Sequence, residues 1–139
     1  DVTDYDFVQA KLMEIAEIVD LRQVNYDRWN ASQMVISCIN EGLPMNPYGQ
    51  GFLSMSAPTK QLEIFVLNQQ INHSGNPIMR WMCSNLRMKI DPAGNIKPDK
   101  SKSTEKIDGM VALVMAIGAA MNSEQDLHSS YDEKGITFL

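Results

Sequence analysis

The hydrophobic and polar positions of the chain alternate between a helical and a strand period. After Thr3 or Asp4, apolar residues recur every three to four positions, which predicts an amphipathic helix that ends near Asp20. The apolar stripe of this helix consists of Val8, Leu12, Ile15, Ala16 and Val19. Residues 22–27 alternate with a period of two instead, and this pattern predicts a short strand that ends on Asp27.

The same alternation continues through the middle of the chain. A second helix is predicted from Asn30 or Ser32 to Gly42, with glycine as its closing residue. The segment "LPMNPYG", 43–49, is typical of an edge strand interrupted by proline. A third helix is predicted over 56–70, capped by the serine at its first position and followed by an early proline.

The second half of the chain predicts two more helices and a hairpin. A short helix is expected over 76–86, followed by two short strands around an Asp-Pro-Ala-Gly turn, with Lys89 and Lys97 exposed on one side. The last helix, 105–121, is apolar on nearly all sides, so we expect it to be buried between layers. This order predicts an α/β fold with a mainly parallel sheet, from which central strands are missing.

Composition indicates one soluble globular domain. The chain has 139 residues, of which 44% are hydrophobic and 21% are charged. The longest uncharged apolar stretch, 109–121, is shorter than the roughly 20 residues that cross a bilayer, and no signal peptide opens the chain, so we expect no membrane partner. Cys38 and Cys83 lack metal-ligand spacing and are expected to be buried free thiols, whereas the polar tail after Asn122 is expected to be loose.

Charge is distributed unevenly along this acidic chain. A net charge of −5 and a pI of about 4.9 argue against a generic nucleic-acid binder. Four lysines nevertheless fall within ten residues: Lys97, Lys100, Lys102 and Lys106. Such a loop can face a polyanion, and the alternative is a loop that is simply solvated.

Two aspartates are candidates for metal chemistry. Asp27 ends a predicted strand, where α/β folds place their ligand crevices, and Asp108 falls in the first turn of the last helix. If that helix packs across the sheet, the two carboxylates would approach each other and suit Mg²⁺ or Mn²⁺. From the residues alone, simpler alternatives stay open: Asp108 as an acid favoured by the helix dipole, and Asp27 as a helix cap.

Several longer segments resemble one protein family. These segments are "NYDRWNA" (25–31), "PYGQGFLSMSAPTKQLE" (47–63), "GNPIMRWMCSN" (75–85) and "DPAGNIKPDKSKSTEKIDGMVALVMA" (91–116). In this order they resemble the C-terminal part of the large subunit of tailed-bacteriophage terminases, the DNA-packaging motor. The resemblance covers residues 3 to about 121 without a large gap.

The resemblance implies an RNase H-like, three-layer nuclease domain over residues 1–121, with its first strands missing, and a polar tail over 122–139. The family's metal-binding acidic cluster is matched here by Asp27 and Asp108, and a further family carboxylate lies on an upstream strand. A fragment without that strand is expected to be inactive by itself, and to dimerise through the open strand edge or rearrange locally.

The function implied is metal-dependent cleavage of concatemeric double-stranded DNA with Mg²⁺ or Mn²⁺, while ATP belongs to a separate N-terminal ATPase domain. The expected partners are DNA, the portal protein, the small terminase subunit and that ATPase domain, in the host bacterial cytoplasm at the procapsid portal. Charge and proximity assign Lys97, Lys100, Lys102 and Lys106 to the phosphates. Asn85 and Ser103 are candidates for orienting the DNA backbone. The alternatives are a non-catalytic module that docks on the portal or the ATPase domain, and an RNase H-like resolvase or integrase relative.

Overall fold

The computed structural model describes residues 4–30 and 33–132. The chain divides into two compact units, Asp1–Gly49 and Gln50–Leu139, called here the N-terminal unit and the C-terminal unit. Among the described residues, no helix combines the length and the hydropathy that a membrane crossing requires.

The N-terminal unit pairs two short parallel strands with two helices. Its elements are α1 (Tyr5–Ile18), β1 (Val24–Asp27), a 3-10 turn (Arg28–Asn30), α2 (Gln33–Asn40) and β2 (Met45–Tyr48). Val24 lies opposite Met45, and Asp27 lies opposite Tyr48, so the predicted parallel pairing is confirmed. The buried apolar side chains of this unit are Val35, Cys38, Leu43 and Tyr48.

Helix α1 begins where the sequence predicts. The Asp4 carboxylate accepts hydrogen bonds from the backbone N–H groups of Asp6 and Phe7, both at 3.1 Å, which satisfies two of the free donors at the helix start. No residue of α1 is buried, and Phe7 is 70% exposed. The helix is therefore confirmed, whereas its apolar stripe is at most half-buried.

The C-terminal unit holds the larger core. Its elements are α3 (Phe52–Leu67), α4 (Pro77–Asn85), β3 (Met88–Ile90), β4 (Ile96–Pro98) and α5 (Asp108–Asp132). Strands β3 and β4 form the predicted antiparallel hairpin, and α5 packs against α3 and α4. The buried apolar side chains are Met55, Leu62, Ile107, Met110, Val111, Val114, Met115 and Ile117.

Helix α3 begins four residues before its predicted start. Gly51 precedes its first residue, and Ser56, predicted as the cap, lies inside the helix and is buried. The Ser56 hydroxyl accepts a hydrogen bond from the backbone N–H of Ile96 at 3.2 Å. The prediction of the cap is wrong because this serine satisfies a donor of β4 rather than a donor of its own helix.

Helix α5 differs from its prediction at both ends and on one face. It begins at Asp108 rather than at 105, and it continues to Asp132, so the chain after Asn122 is helical where a loose tail was predicted. The remainder of the predicted tail, 133–139, lies outside the described residues. Small side chains face solvent, so the prediction of burial on all sides is wrong: Ala112, Ala116 and Ala120 are exposed.

Helices α4 and α5 approach each other closely at Gly109. The N–H of Gly109 donates to the sulfur of Met82 at 3.2 Å. A Cβ at this position would lie 2.8 Å from the same sulfur, so any larger residue would require the Met82 side chain to move away. Glycine therefore permits the contact, in which a thioether covers the first turn of α5.

One of the two thiols predicted to be buried is exposed instead. Cys83 lies on the surface of α4. Cys38 is buried as predicted, and burial raises the pKa of its thiol. The prediction for Cys83 is wrong because an apolar residue type does not by itself specify which face of a short element meets the core.

Candidate functional site

Asp108 presents a charged and accessible carboxylate at the start of α5. Ile107, immediately before it, is buried and fixes the chain where the helix begins. The Lys100 ammonium lies 2.8 Å from Asp108 Oδ1, and the Asp108 side chain stays 63% exposed. The hydrogen bond from Lys100 lowers the pKa of Asp108 against a partial desolvation, with smaller contributions from the charges of Lys100 and Lys106. The group is therefore ionised at neutral pH.

Asp99 shapes the loop that carries Lys100. Its buried carboxylate accepts hydrogen bonds from the backbone N–H of Ser101 at 2.9 Å and from the Ser101 hydroxyl at 2.6 Å. These bonds, the hydroxyl bond first, lower the pKa of Asp99. Sequence reasoning missed this residue, although an aspartate two positions before a serine is a known signal for a side-chain turn.

Further hydrogen bonds tie this loop to neighbouring elements. The Ser103 hydroxyl donates to the carbonyl oxygen of Asp99 at 2.7 Å and accepts from the N–H of Arg87 at 3.2 Å. Thr104 donates to the buried side-chain oxygen of Asn85 at 3.3 Å, while Asn85 Nδ2 has no hydrogen-bond partner among the described residues. Asn85 and Ser103 thus connect the loop to the end of α4 and to the segment before β3. Their predicted contact with a DNA backbone stays a prediction.

The lysine-rich segment contributes to a cleft of about 250 Å³ within the C-terminal unit. Three lysines line the cleft: Lys89, Lys97 and Lys100. Lys97 is half-buried rather than exposed as predicted, because its ammonium donates to the carbonyl oxygen of Gln50 at 2.9 Å and lies 5.3 Å from the centre of the Phe52 ring. A backbone carbonyl and an aromatic face therefore hold this cation in place.

The other two predicted DNA-binding lysines lie outside the cleft lining. Lys102 and Lys106 are exposed, and their charges act on Asp99 and Asp108 respectively. The four lysines that sequence reasoning grouped together thus occupy two environments. Lys97 and Lys100 line a cleft, and Lys102 and Lys106 stand on the solvated loop beside it.

Asp27 ends β1 as predicted and supports the turn that follows. Its Oδ1 accepts a hydrogen bond from the N–H of Trp29 at 3.1 Å. This is the capping role that the sequence left open as an alternative. Asp27 belongs to the N-terminal unit and Asp108 to the C-terminal unit. A metal site that contains both aspartates therefore stays a proposal.

The carboxylates near the start of α5 meet part of what a divalent cation requires. Within residues 4–30 and 33–132, no three side chains of His, Cys, Asp or Glu gather in a way that could hold a metal ion. Mg²⁺ commonly uses only one or two protein carboxylates, and takes waters and substrate phosphates as its other ligands. The oxygen chemistry of Asp108 fits such a cation, and Lys100 competes for the same carboxylate.

Comparison with known proteins identifies the class of protein to which this α/β chain belongs. A family model described as "Terminase large subunit, endonuclease domain" matches residues 2–124. The chain therefore belongs to the family of terminase large-subunit endonuclease domains, and the resemblance seen in its sequence is confirmed.

Individual relatives agree with this family. Over 132 residues the chain is 37% identical to the "Terminase, large subunit" of Enterobacteria phage HK97, a match that covers 94% of this chain and 26% of that protein. It is 32% identical over 140 residues to "Protein YmfN" of Escherichia coli (strain K12), covering 98% of this chain and 31% of that protein. The chain thus spans about a quarter to a third of these relatives.

A solved structure supports the fold. The structure titled "Crystal structure of the HK97 bacteriophage large terminase" superimposes with a TM-score of 0.77 at 39% sequence identity, covering 84% of this chain and 25% of that one. This match confirms the predicted α/β, RNase H-like fold class.

Proposed function

We propose that this chain is the endonuclease portion of a viral DNA-packaging terminase large subunit, which hydrolyses phosphodiester bonds of concatemeric double-stranded DNA. Membership of the terminase endonuclease family supports this proposal. The observation that carries it is the exposed, ionised Asp108 at the start of α5, close to lysines that line a cleft. A carboxylate suited to a hard cation and ammonium groups suited to phosphates are what such a hydrolysis uses.

In this proposal Asp27 and Asp108 hold Mg²⁺ or Mn²⁺, together with a carboxylate from outside this chain. When bound, the cation would supply activation of a water and stabilisation of the leaving oxygen. The chain's own contribution is to keep Asp108 ionised and to place ammonium groups for the DNA phosphates. The ammonium groups proposed for the phosphates are those of Lys97, Lys100, Lys102 and Lys106.

The proposal extends to the setting of the reaction. A longer terminase subunit would add an ATPase domain that consumes ATP, and would work with the portal protein and the small terminase subunit. The reaction would take place in the host bacterial cytoplasm at the procapsid portal. Family membership and the small share of the relatives that this chain spans support these assignments.

Cleavage of supercoiled plasmid in Mn²⁺ tests the nuclease proposal. The chain is compared with a version extended upstream to the length of its relatives, and Asp27→Ala and Asp108→Ala are introduced into whichever form cuts. We expect each substitution to reduce the cleavage rate by about 100-fold or more, since a lost metal ligand costs at least as much as a lost supporting group. Asp20→Ala is the matched control because Asp20 is exposed and pairs with Arg22. An unchanged rate in Asp108→Ala would overturn the proposal.

A docking role is the second candidate, and the exposed apolar side chains of α1 favour it. Phe7 is 70% exposed and Ile18 is 74% exposed on a helix without a buried residue. A contiguous patch of exposed apolar side chains is typical of a surface that meets another protein. Undiminished cleavage in Asp108→Ala, combined with lost binding of the portal or the ATPase domain in Phe7→Ala, would favour this candidate.

A further inference from the structure

The hairpin places two like charges directly opposite each other. Lys89 on β3 and Lys97 on β4 are register partners in the antiparallel pair, so their side chains leave the same face. Directly opposed like charges destabilise a hairpin. Among the described residues, Lys89 has no ion-pair or hydrogen-bond partner, and both side chains line the cleft. An anion between them would relieve the repulsion.

The cleft holds its second lysine in a fixed position. The Lys97 ammonium is bound by the Gln50 carbonyl and stacked over Phe52, and neither contact neutralises its charge. A cation that is positioned in advance loses less side-chain entropy when it meets a ligand. Lys97 therefore offers a prepared positive charge on the cleft wall.

The third lysine is shared between the cleft and a carboxylate. Lys100 lines the cleft, and its ammonium contacts Asp108 at 2.8 Å. Because this pair is more than half exposed, its attraction is weak enough for a competing anion to displace it. Asp99 is the acidic group of the lining, and Ser101 already occupies its Oδ1.

We infer that this cleft binds one phosphodiester group of duplex DNA between Lys89, Lys97 and Lys100, and that Asp108 limits the affinity by holding Lys100. This inference rests on the proposed function, which supplies duplex DNA as the ligand. A volume of about 250 Å³ accommodates a phosphodiester group with part of its hydration shell, given about 30 Å³ for each water. Lys89, which lies outside the predicted lysine group, becomes a DNA contact, and Asp108 gains a role in binding that is separate from any cation.

The salt dependence of DNA binding tests the contact at Lys89. Binding of a short fluorescent duplex to the full 139-residue chain is measured by anisotropy in EDTA at several salt concentrations. A fully lost phosphate contact reduces the magnitude of the slope of log K against log salt by about 0.9. Because Lys97 and Lys100 still meet the shared phosphate, we expect Lys89→Gln to reduce that magnitude by up to this amount. Lys60→Gln removes the same charge from an exposed position on α3 that does not line the cleft, and should leave the slope unchanged. Equal slopes in the two variants would overturn the assignment.

A double-mutant cycle tests the coupling through Lys100. Asp108→Asn should tighten binding and steepen the slope by up to about 0.9, because Lys100, once released, pairs with the phosphate without competition from a carboxylate. In a Lys100→Gln background the same substitution should have no effect on the slope. If Asp108→Asn steepens the slope equally in both backgrounds, removal of a negative charge explains the tighter DNA binding. The proposed coupling of Asp108 to DNA through Lys100 would then be wrong.

A competition experiment tests whether duplex DNA or a small anion is the ligand of the cleft. Inorganic phosphate is added to the wild-type complex and to the Lys89→Gln complex at constant ionic strength. We expect phosphate to weaken duplex binding more in wild type than in Lys89→Gln, because the two ligands then compete for the same lysines. An equal effect in the two proteins would place the duplex outside the cleft and overturn the assignment. All these measurements exclude divalent cations, so a failed cleavage experiment with intact binding would contradict the proposed nuclease function and not the cleft.

Discussion

At the scale of single residues, the direction in which each charge points decides its role. Asp99 turns a charged carboxylate into its own loop, where Ser101 binds it, and this arrangement fixes the chain on either side of Lys100. Asp108, nine positions later, leaves its carboxylate in solvent beside that lysine. Asp99 therefore stabilises the loop, whereas the carboxylate of Asp108 remains accessible to a ligand.

The pH dependence of the loop follows from Asp99. Its pKa in the folded chain lies below the ordinary value of about 3.9, so its stabilising contribution is complete above that pH and is lost as the pH falls through the lower folded pKa. Ser101→Ala removes the 2.6 Å hydroxyl bond and should raise the pKa of Asp99, measurable by NMR titration of the carboxyl carbon. Acid-induced loosening of the loop should then begin at higher pH. Ser123→Ala is the control because the Ser123 hydroxyl donates to the carbonyl oxygen of Ala119 within α5 and not to Asp99, and an unchanged pKa in Ser101→Ala would contradict the role of the hydroxyl.

The residue types of the site were predictable from sequence, and their partners were not. A cluster of lysines around an aspartate is visible as a pattern, and so is the aspartate that ends a strand. That Lys97 binds the Gln50 carbonyl, 47 positions away, depends on how the hairpin packs on α3. Likewise, the place of Lys89 in the cleft follows from strand register and from packing, which local pattern does not encode.

At the scale of elements, helix ends that use side-chain caps are the ones whose position the sequence predicts. Asp4 and Asn76 each accept two backbone N–H bonds at the starts of α1 and α4, and both helices begin within one residue of the prediction. Helix α3 follows Gly51, which makes no side-chain cap, and its start was predicted four residues late. A cap made by a nearby side chain can be predicted from the local sequence. Ser56 instead accepts a hydrogen bond from β4, 40 positions away, and the local sequence does not encode this contact.

Removing the cap of α4 should destabilise the C-terminal unit. The Asn76 side chain accepts the N–H groups of Ile78 and Met79, both at 3.0 Å, at the start of a nine-residue helix that packs on α5. Asn76→Ala should lower the free energy of unfolding by about 1 kcal/mol, measured by urea denaturation. Arg80→Ala, at an exposed position of the same helix, should change it by less than about 0.5 kcal/mol. Equal losses in the two variants would show that the cap contributes nothing specific.

At the scale of the whole molecule, buried apolar side chains are concentrated in α3, α5 and the residue before α5. Met55 is 2% exposed and Val114 is fully buried, whereas α1 contains no buried residue. Elements with few buried contacts open at lower free energy than elements that form a core. Stability should therefore differ along the chain.

Hydrogen exchange followed by mass spectrometry tests this difference on the full chain. We expect the amides of α1 to exchange faster than those of α3 and of the first turns of α5, although all three segments are regular helices. Met55→Ala should remove about 2 to 5 kcal/mol of stability and reduce protection in α3 and α5 together, since these helices pack against each other. Leu53→Ala is the matched control because Leu53 lies on the same helix and is 98% exposed, so protection should stay as in wild type. If α1 were protected as strongly as α5, burial within the described chain would not govern its local stability, and contacts made by α1 elsewhere would have to supply the missing free energy.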